Sequence, residues 1–254
     1  MTKKIVFLIL TMILAMNISA CDSNTSNTDG NEVENYSITE SNSLSNEGEV
    51  SYSINYPQIT GLSDTEKQDK VNNIIKEEAL KVLKYYENPF APVEVDIDYN
   101  ITLQEPSVLS IQYSGLGIVS GVAHPNKLFY TTNIDIERGT RIRLKDIINI
   151  NSDFIQKFIG GDFTAVNDEQ GQNIDLSTLS VEDLQREFTE ADSLDNIGTE
   201  NQSDVYSYLT EDSLGISISV PYAVGGHAEY EINYQDLNEF IKSDSEIWKD
   251  LLKN

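Results

Sequence analysis

From Val93 to Leu103 the chain alternates without a break. Val93, Val95, Ile97, Tyr99, Ile101 and Leu103 fall on one side of an extended backbone, and Glu94, Asp96, Asp98, Asn100 and Thr102 fall on the other. This predicts a strand with one wet face. Glu105-Pro106 reads as a turn, and Leu109, Ile111 and Tyr113 resume the alternation, so the two runs are expected to pair as an antiparallel hairpin. Upstream the period changes from 2 to about 3.6. Val71, Ile74, Ile75, Ala79, Val82, Leu83 and Tyr86 share one helical face, behind a Ser63-x-x-Glu66 capping pattern and ahead of Asn88-Pro89, which predicts a helix over 63–86.

A second set of elements follows. Leu128, Tyr130, Ile134 and Ile136 predict a strand, Arg138-Gly139 a turn, and Ile142 and Leu144 a short return strand. Phe154, Ile155, Phe158 and Ile159 fit one face of a short helix that ends at Gly160-Gly161. Leu214, Ile216, Ile218 and Val220 alternate, as do Ala228, Tyr230 and Ile232 after a Gly-rich turn. Helical patterns close the chain at Leu237, Phe240 and Ile241, then at Ile247, Trp248, Leu251 and Leu252 behind Ser243 and Glu246. The expected class is α+β, with antiparallel sheets, helices packed on one face and two sequential helix-and-sheet units at 49–120 and 121–254.

The N-terminus carries a different signal. Lys3 and Lys4 precede the apolar run Ile5 to Met16 and then Ile18-Ser19-Ala20-Cys21, the order of parts in a cleavable secretory signal over 1–20. The run is too short to span a bilayer, which takes about 20 apolar residues. Ile-Ser-Ala-Cys resembles the bacterial lipobox, which makes Cys21 the expected lipid-attachment residue; the alternative is an ordinary signal peptide with an incidental cysteine. Cys21 is the only cysteine, so no intramolecular disulfide can form and stability must come from a hydrophobic core. Residues 21–48 hold Ser, Asn, Thr, Asp and Glu with no Lys or Arg, and read as a disordered acidic stalk. The expected location is extracytoplasmic, with the membrane touched only through the lipid anchor.

With 17 basic and 42 acidic residues the formal net charge is -25. Such a body repels nucleic acid, which excludes it as a partner, and attracts cationic proteins at long range. Acidity that only maintains solubility is the plainer reading. The segment 160–204 is the extreme case, with acidic residues throughout and Arg186 as its one basic side chain, and it reads as a surface excursion.

No catalytic motif stands out. His124 and His227 are the only histidines and neither sits in a zinc-binding arrangement, so no metal or cofactor is expected. No G-x-S-x-G elbow or phosphate loop is present, and no catalytic residue is assigned. Two loop segments are conspicuous, Gly121 to Asn126 and Pro221 to Ala228. They supply the ligand-binding candidates His124, Pro125, Asn126, Tyr222, Gly226 and His227. In the alternative reading the two histidines only hydrogen-bond loop backbone and fix the turns.

The same segments carry a family resemblance. Gly121-x-Ala123-His124-Pro125-Asn126, Asn133-Ile134-Asp135 and Gly139-x-x-Ile142-x-Leu144-x-Asp146 are similar to the core of the family formed by the extracellular domain of RsiV, a lysozyme-sensing anti-sigma factor, and the non-catalytic N-terminal region of the peptidoglycan deacetylase PdaC. Val220 to Leu237 resembles its closing strand, turn and helix, and residues from about 50 to 120 resemble the companion domain. The Asp-Asp and His-x-x-x-His pattern of the deacetylase is not present, and Gly225-Gly226-His227-Ala228 departs from the family's closing turn. The resemblance implies a non-enzymatic, extracellular binding module whose partner is a cationic protein such as lysozyme or a cell-wall glycan of peptidoglycan. The rivals are a wall-polysaccharide hydrolase or modifying enzyme with unidentified carboxylate catalysts, and a spacer without a small ligand.

Overall fold

In the computed structural model, residues 35–166, 174–199 and 201–252 are described. The signal segment, Cys21 and the first part of the expected stalk lie outside them. The described strands form two sheets. The larger has β1 (Ser37–Ser45), β2 (Val50–Thr60), β3 (Val93–Gln104), β4 (Val108–Val119), β5 (Asn126–Asp135) and β6 (Thr140–Ile142) side by side in chain order. The smaller runs β7 (Thr164–Ala165), β10 (His227–Asn233), β9 (Ser213–Ser219), β8 (Tyr206–Leu209).

The pairs are antiparallel apart from β2 with β3, which run parallel with Val50 opposite Val93. A parallel pair needs a long crossover, and here it is α1 (Thr65–Leu80) continued by a 3-10 turn, Lys81–Tyr86. The cap is Asp64, one residue after the expected Ser63: its carboxylate accepts the Lys67 N–H at 2.9 Å. Val71, Ile75, Ala79, Val82 and Tyr86 are buried against Ile54, Val95, Ile97, Ile111, Tyr113 and Tyr130 of the sheet. The hairpin of β3 and β4 forms as expected, with Tyr99 opposite Tyr113 and Glu94, Asp96 and Asp98 exposed.

The structure departs from the expected layout in four places. Residues 37–45, expected in the stalk, form edge strand β1, paired along its length with β2. An edge strand is held by backbone hydrogen bonds and needs few apolar side chains, and Tyr36 anchors it by donating from its buried hydroxyl to the Glu105 carbonyl at 3.1 Å. The division at 120 falls between β4 and β5, which pair from Val108–Asp135 to Gly117–Asn126, and the described residues fall in one compact unit. The acidic segment 160–204 is more than a surface excursion. Its α4 (Val181–Thr189) and a 3-10 turn at Leu194–Asn196 bury Leu184, Phe188, Ala191, Leu194 and Ile197, while Glu182 and Asp183 face solvent. Residues 167–173 and Glu200 of that segment lie outside the described residues. Leu144, expected in a return strand, opens α2 (Leu144–Ile147) instead.

The second core gathers α2, α3 (Ser152–Ile159), α4, the small sheet and α5 (Ile247–Leu251) around Phe154, Phe158, Phe188 and Phe240. Rings meet edge-on, as Phe158 does with Phe188 at 5.0 Å between centroids. Where β8 lies against β4 and β5 the contact is polar. Thr131 and Asn133 donate to the Ser207 carbonyl at 2.6 and 2.9 Å. Asp192, held at φ 63, accepts from the Ser207 N–H and hydroxyl and from the Leu144 N–H. Burial pushes its carboxyl up to about 6, against the opposing pull of those bonds and of Arg143.

Candidate functional site

The two segments singled out in the sequence meet at one end of the molecule. The turn before β5 carries His124 and Pro125 and leads into Asn126, the first residue of β5, and the turn between β9 and β10 carries Tyr222 and Gly226 and leads into His227, the first residue of β10. Between them and the region after α1 lies a cleft of about 390 Å³, lined by Pro125, Asn126, Tyr222, Gly226 and His227 among others. That volume is within the range of small-molecule sites. His124 is not in the lining: its exposed ring stacks on Tyr222 with centroids 5.1 Å apart, so it braces the rim.

Local sequence explains the arrangement. In β5, Leu128 and Tyr130 turn into the first core, which puts Lys127 and Phe129 on the opposite face. Phe129 meets the ring of His227, centroids 4.3 Å apart and planes 22° from parallel, with Tyr206 edge-on at 6.4 Å. The Lys127 ammonium lies 5.1 Å from the centre of the Tyr222 ring. Gly226 takes φ 89, and a Cβ there would come within 2.9 Å of Lys127 Cβ, so the turn closes over Lys127 because this residue is glycine.

Polar groups edge these rings. Asn126 donates to the Tyr86 hydroxyl at 3.1 Å, and Gln202 donates to the Tyr85 hydroxyl at 2.6 Å and contacts Asp204 at 2.5 Å. Burial, with Asp204 adding to it, pushes the Tyr85 hydroxyl up to about 12, so Tyr85 stays neutral at ordinary pH. His227 Nε2 is 3.4 Å from Glu229 Oε1, and the other oxygen of Glu229 accepts from Gln112 at 2.8 Å. Ser217 sits on the same face of the hairpin, opposite Glu229 in register. Its hydroxyl and His227 Nδ1 are both buried without a hydrogen-bond partner among the described residues, so the two are not joined as nucleophile and base. Among the described residues no three His, Cys, Asp or Glu side chains converge as a metal-ligand set.

Of the loop candidates, Pro125, Asn126, Tyr222, Gly226 and His227 line the cleft and His124 does not, while Tyr85, Phe129, Tyr206, Gln202 and Ser217 line it without having been singled out in the sequence. Phe129 left a trace, an aromatic residue on the wet side of an alternating strand. The remaining motif residues have structural jobs. Asp135 accepts from the Arg138 N–H and side chain, Gly139 takes φ 58 in the turn, and Asp146 accepts from the Arg143 N–H at 2.8 Å.

Residues 44–127 match the family model described as Deacetylase PdaC, so the α1 crossover and the β3–β4 hairpin lie in a PdaC-like domain. The match stops at Lys127, and the second sheet lies beyond it. Over most of the chain the fold is similar to that in crystal structures of two DUF3298 family proteins. One, from Bacteroides fragilis, is 14% identical and aligns over 87% of this chain and 98% of its own with a TM-score of 0.50. The other, from Pseudomonas aeruginosa, is 13% identical over 83% of this chain and 95% of its own, also at 0.50. Identities this low carry the fold and nothing finer. No curated protein matches the sequence.

Proposed function

We propose that this chain is a cell-envelope lipoprotein, anchored through Cys21, whose cleft binds a cell-wall glycan. The observation that supports this is the lining itself. Phe129, Tyr206 and Tyr222 put aromatic carbon in the wall of the cleft, against which the C–H groups of a sugar can pack, and Asn126, Gln202 and Asp204 place donors and acceptors around them for hydroxyl groups. The small deacetylase-named domain and the acidic, exported character of the chain fit the same setting. Calorimetric titration with soluble peptidoglycan fragments checks the reading. Saturable binding that Phe129→Ala weakens by about tenfold or more, with the fold intact, is expected; absence of binding, or binding indifferent to that substitution, would overturn it.

The charge favours a second reading, capture of a cationic protein such as lysozyme on the exposed acids of α4, Glu182 and Asp183. Binding of that kind weakens as salt rises and is untouched by changes in the cleft. The same titration run with lysozyme therefore separates the two.

A further inference from the structure

We infer that β1 is the surface through which two copies of this chain pair, edge to edge, around a two-fold axis at Ser41. The described sheets have four edges, and three of them are blunted by shortness: β6 has three residues, β7 two, and β8 four that are buried throughout. β1 has nine, runs opposite β2 without a register shift, and is bonded to no strand on its other side among the described residues. It also lacks the usual protections of a long edge. Ser37–Ser45 holds no Lys and no Pro, and Glu40 is its one charged residue in a chain with 42 acids. Leu44 is 61% exposed. The edge therefore offers backbone N–H and C=O groups at a place where two acidic bodies repel each other least.

The strand's own sequence selects a second copy as the occupant. A two-fold axis normal to the sheet lays β1 antiparallel to its copy, and side chains that alternate between faces then require residues of equal parity to stand opposite one another. With Ser41 on the axis, Ser37 meets Ser45, Ile38 meets Leu44, Thr39 meets Ser43 and Glu40 meets Asn42. All nine residues are used. Both apolar side chains gain an apolar neighbour across the axis, and no carboxylate faces another. Moving the axis to Glu40 sets that carboxylate against its own copy, and moving it to Asn42 sets Glu40 against Leu44.

The experiment is sedimentation velocity over a concentration series on residues 21–254 carrying Cys21→Ser. This chain keeps every described residue and removes lipid and disulfide as other routes to a dimer. Salt at about 0.15 M screens the net charge beyond about 8 Å. The mass is expected to rise from one chain to two and to stop there. Asn42→Glu should weaken the pairing by about tenfold, because the axis then holds two pairs of facing carboxylates. Glu40→Lys added to Asn42→Glu turns both pairs into opposite charges and should restore it, with melting temperatures close to the parent's. A single-chain mass at every concentration would overturn the inference, as would growth beyond two chains. A dimer that Asn42→Glu does not weaken, or that the added Glu40→Lys does not restore, would overturn it too. None of these outcomes bears on the cleft, whose lining shares no residue with β1.

Discussion

Asp192 is the residue whose chemistry departs furthest from its sequence context. Its folded carboxyl titrates near 6, above the usual 3.8, because burial outweighs its hydrogen bonds. The folded state therefore holds this proton more tightly than the unfolded chain does, and the stability linked to it is full below about 4 and is lost as pH rises toward 6. Asp192→Asn removes that titration. In denaturant melts the stability advantage of the parent over Asp192→Asn should shrink between pH 4 and pH 6 and then level off; a constant difference would contradict the assignment. Nothing in the sequence marks Asp192, one acid in an acidic segment, because its burial depends on Ser207 and Leu144, both far along the chain. His227 and Tyr222 were readable because Gly-rich turns between alternating strands announce a built loop. Ser217 was hidden, since a serine on the polar side of a strand looks solvent-facing until a second layer covers it.

Among the elements, α1 and its 3-10 extension connect the two cores. Glu78, 3% exposed, is paired with Lys81 at 2.7 Å and with Arg141 of β6 at 2.5 Å, and Asp195 from the turn after α4 joins Lys81 and Arg143. Lys81 leads the causes that hold the Asp195 carboxyl below its ordinary range. Glu78→Ala leaves Lys81 and Arg141 with only the half-exposed Asp195 between them, and allowing for the partial exposure of Arg141 it should cost about 1–3 kcal/mol in urea unfolding. Gly117 packs directly against the Tyr86 hydroxyl, leaving no room for a Cβ. Gly117→Ala should destabilise by about 1–3 kcal/mol. Because Tyr86 accepts from Asn126, it should also weaken ligand binding at the rim. Periodicity revealed α1, β3, β4, β5, β9 and β10 because each sets large apolar side chains at a regular spacing among polar or small ones, even where, as in β9, both faces end up buried. It missed β1, which has almost no dry side, and β8, whose Tyr206 to Leu209 is buried throughout and shows no alternation.

For the whole molecule the dominant quantity is a formal net charge of -25. Like charges at this density oppose compaction, and salt screens them: the Debye length falls from about 30 Å at 0.01 M to about 10 Å at 0.1 M. The thermal midpoint should therefore rise as sodium chloride is added over that range; a flat or falling midpoint would show that self-repulsion does not limit stability. Within this acidic molecule Lys127, held over Tyr222, is the one cation lining the cleft among the described residues. The most direct measurement is amide chemical-shift mapping of the labelled protein during titration with a soluble peptidoglycan disaccharide. Saturating shifts at Asn126 to Phe129, Ser217 to Ser219 and Tyr222 to His227 are expected. Shifts confined to Val181–Thr189, or none at all, would contradict a glycan-binding cleft.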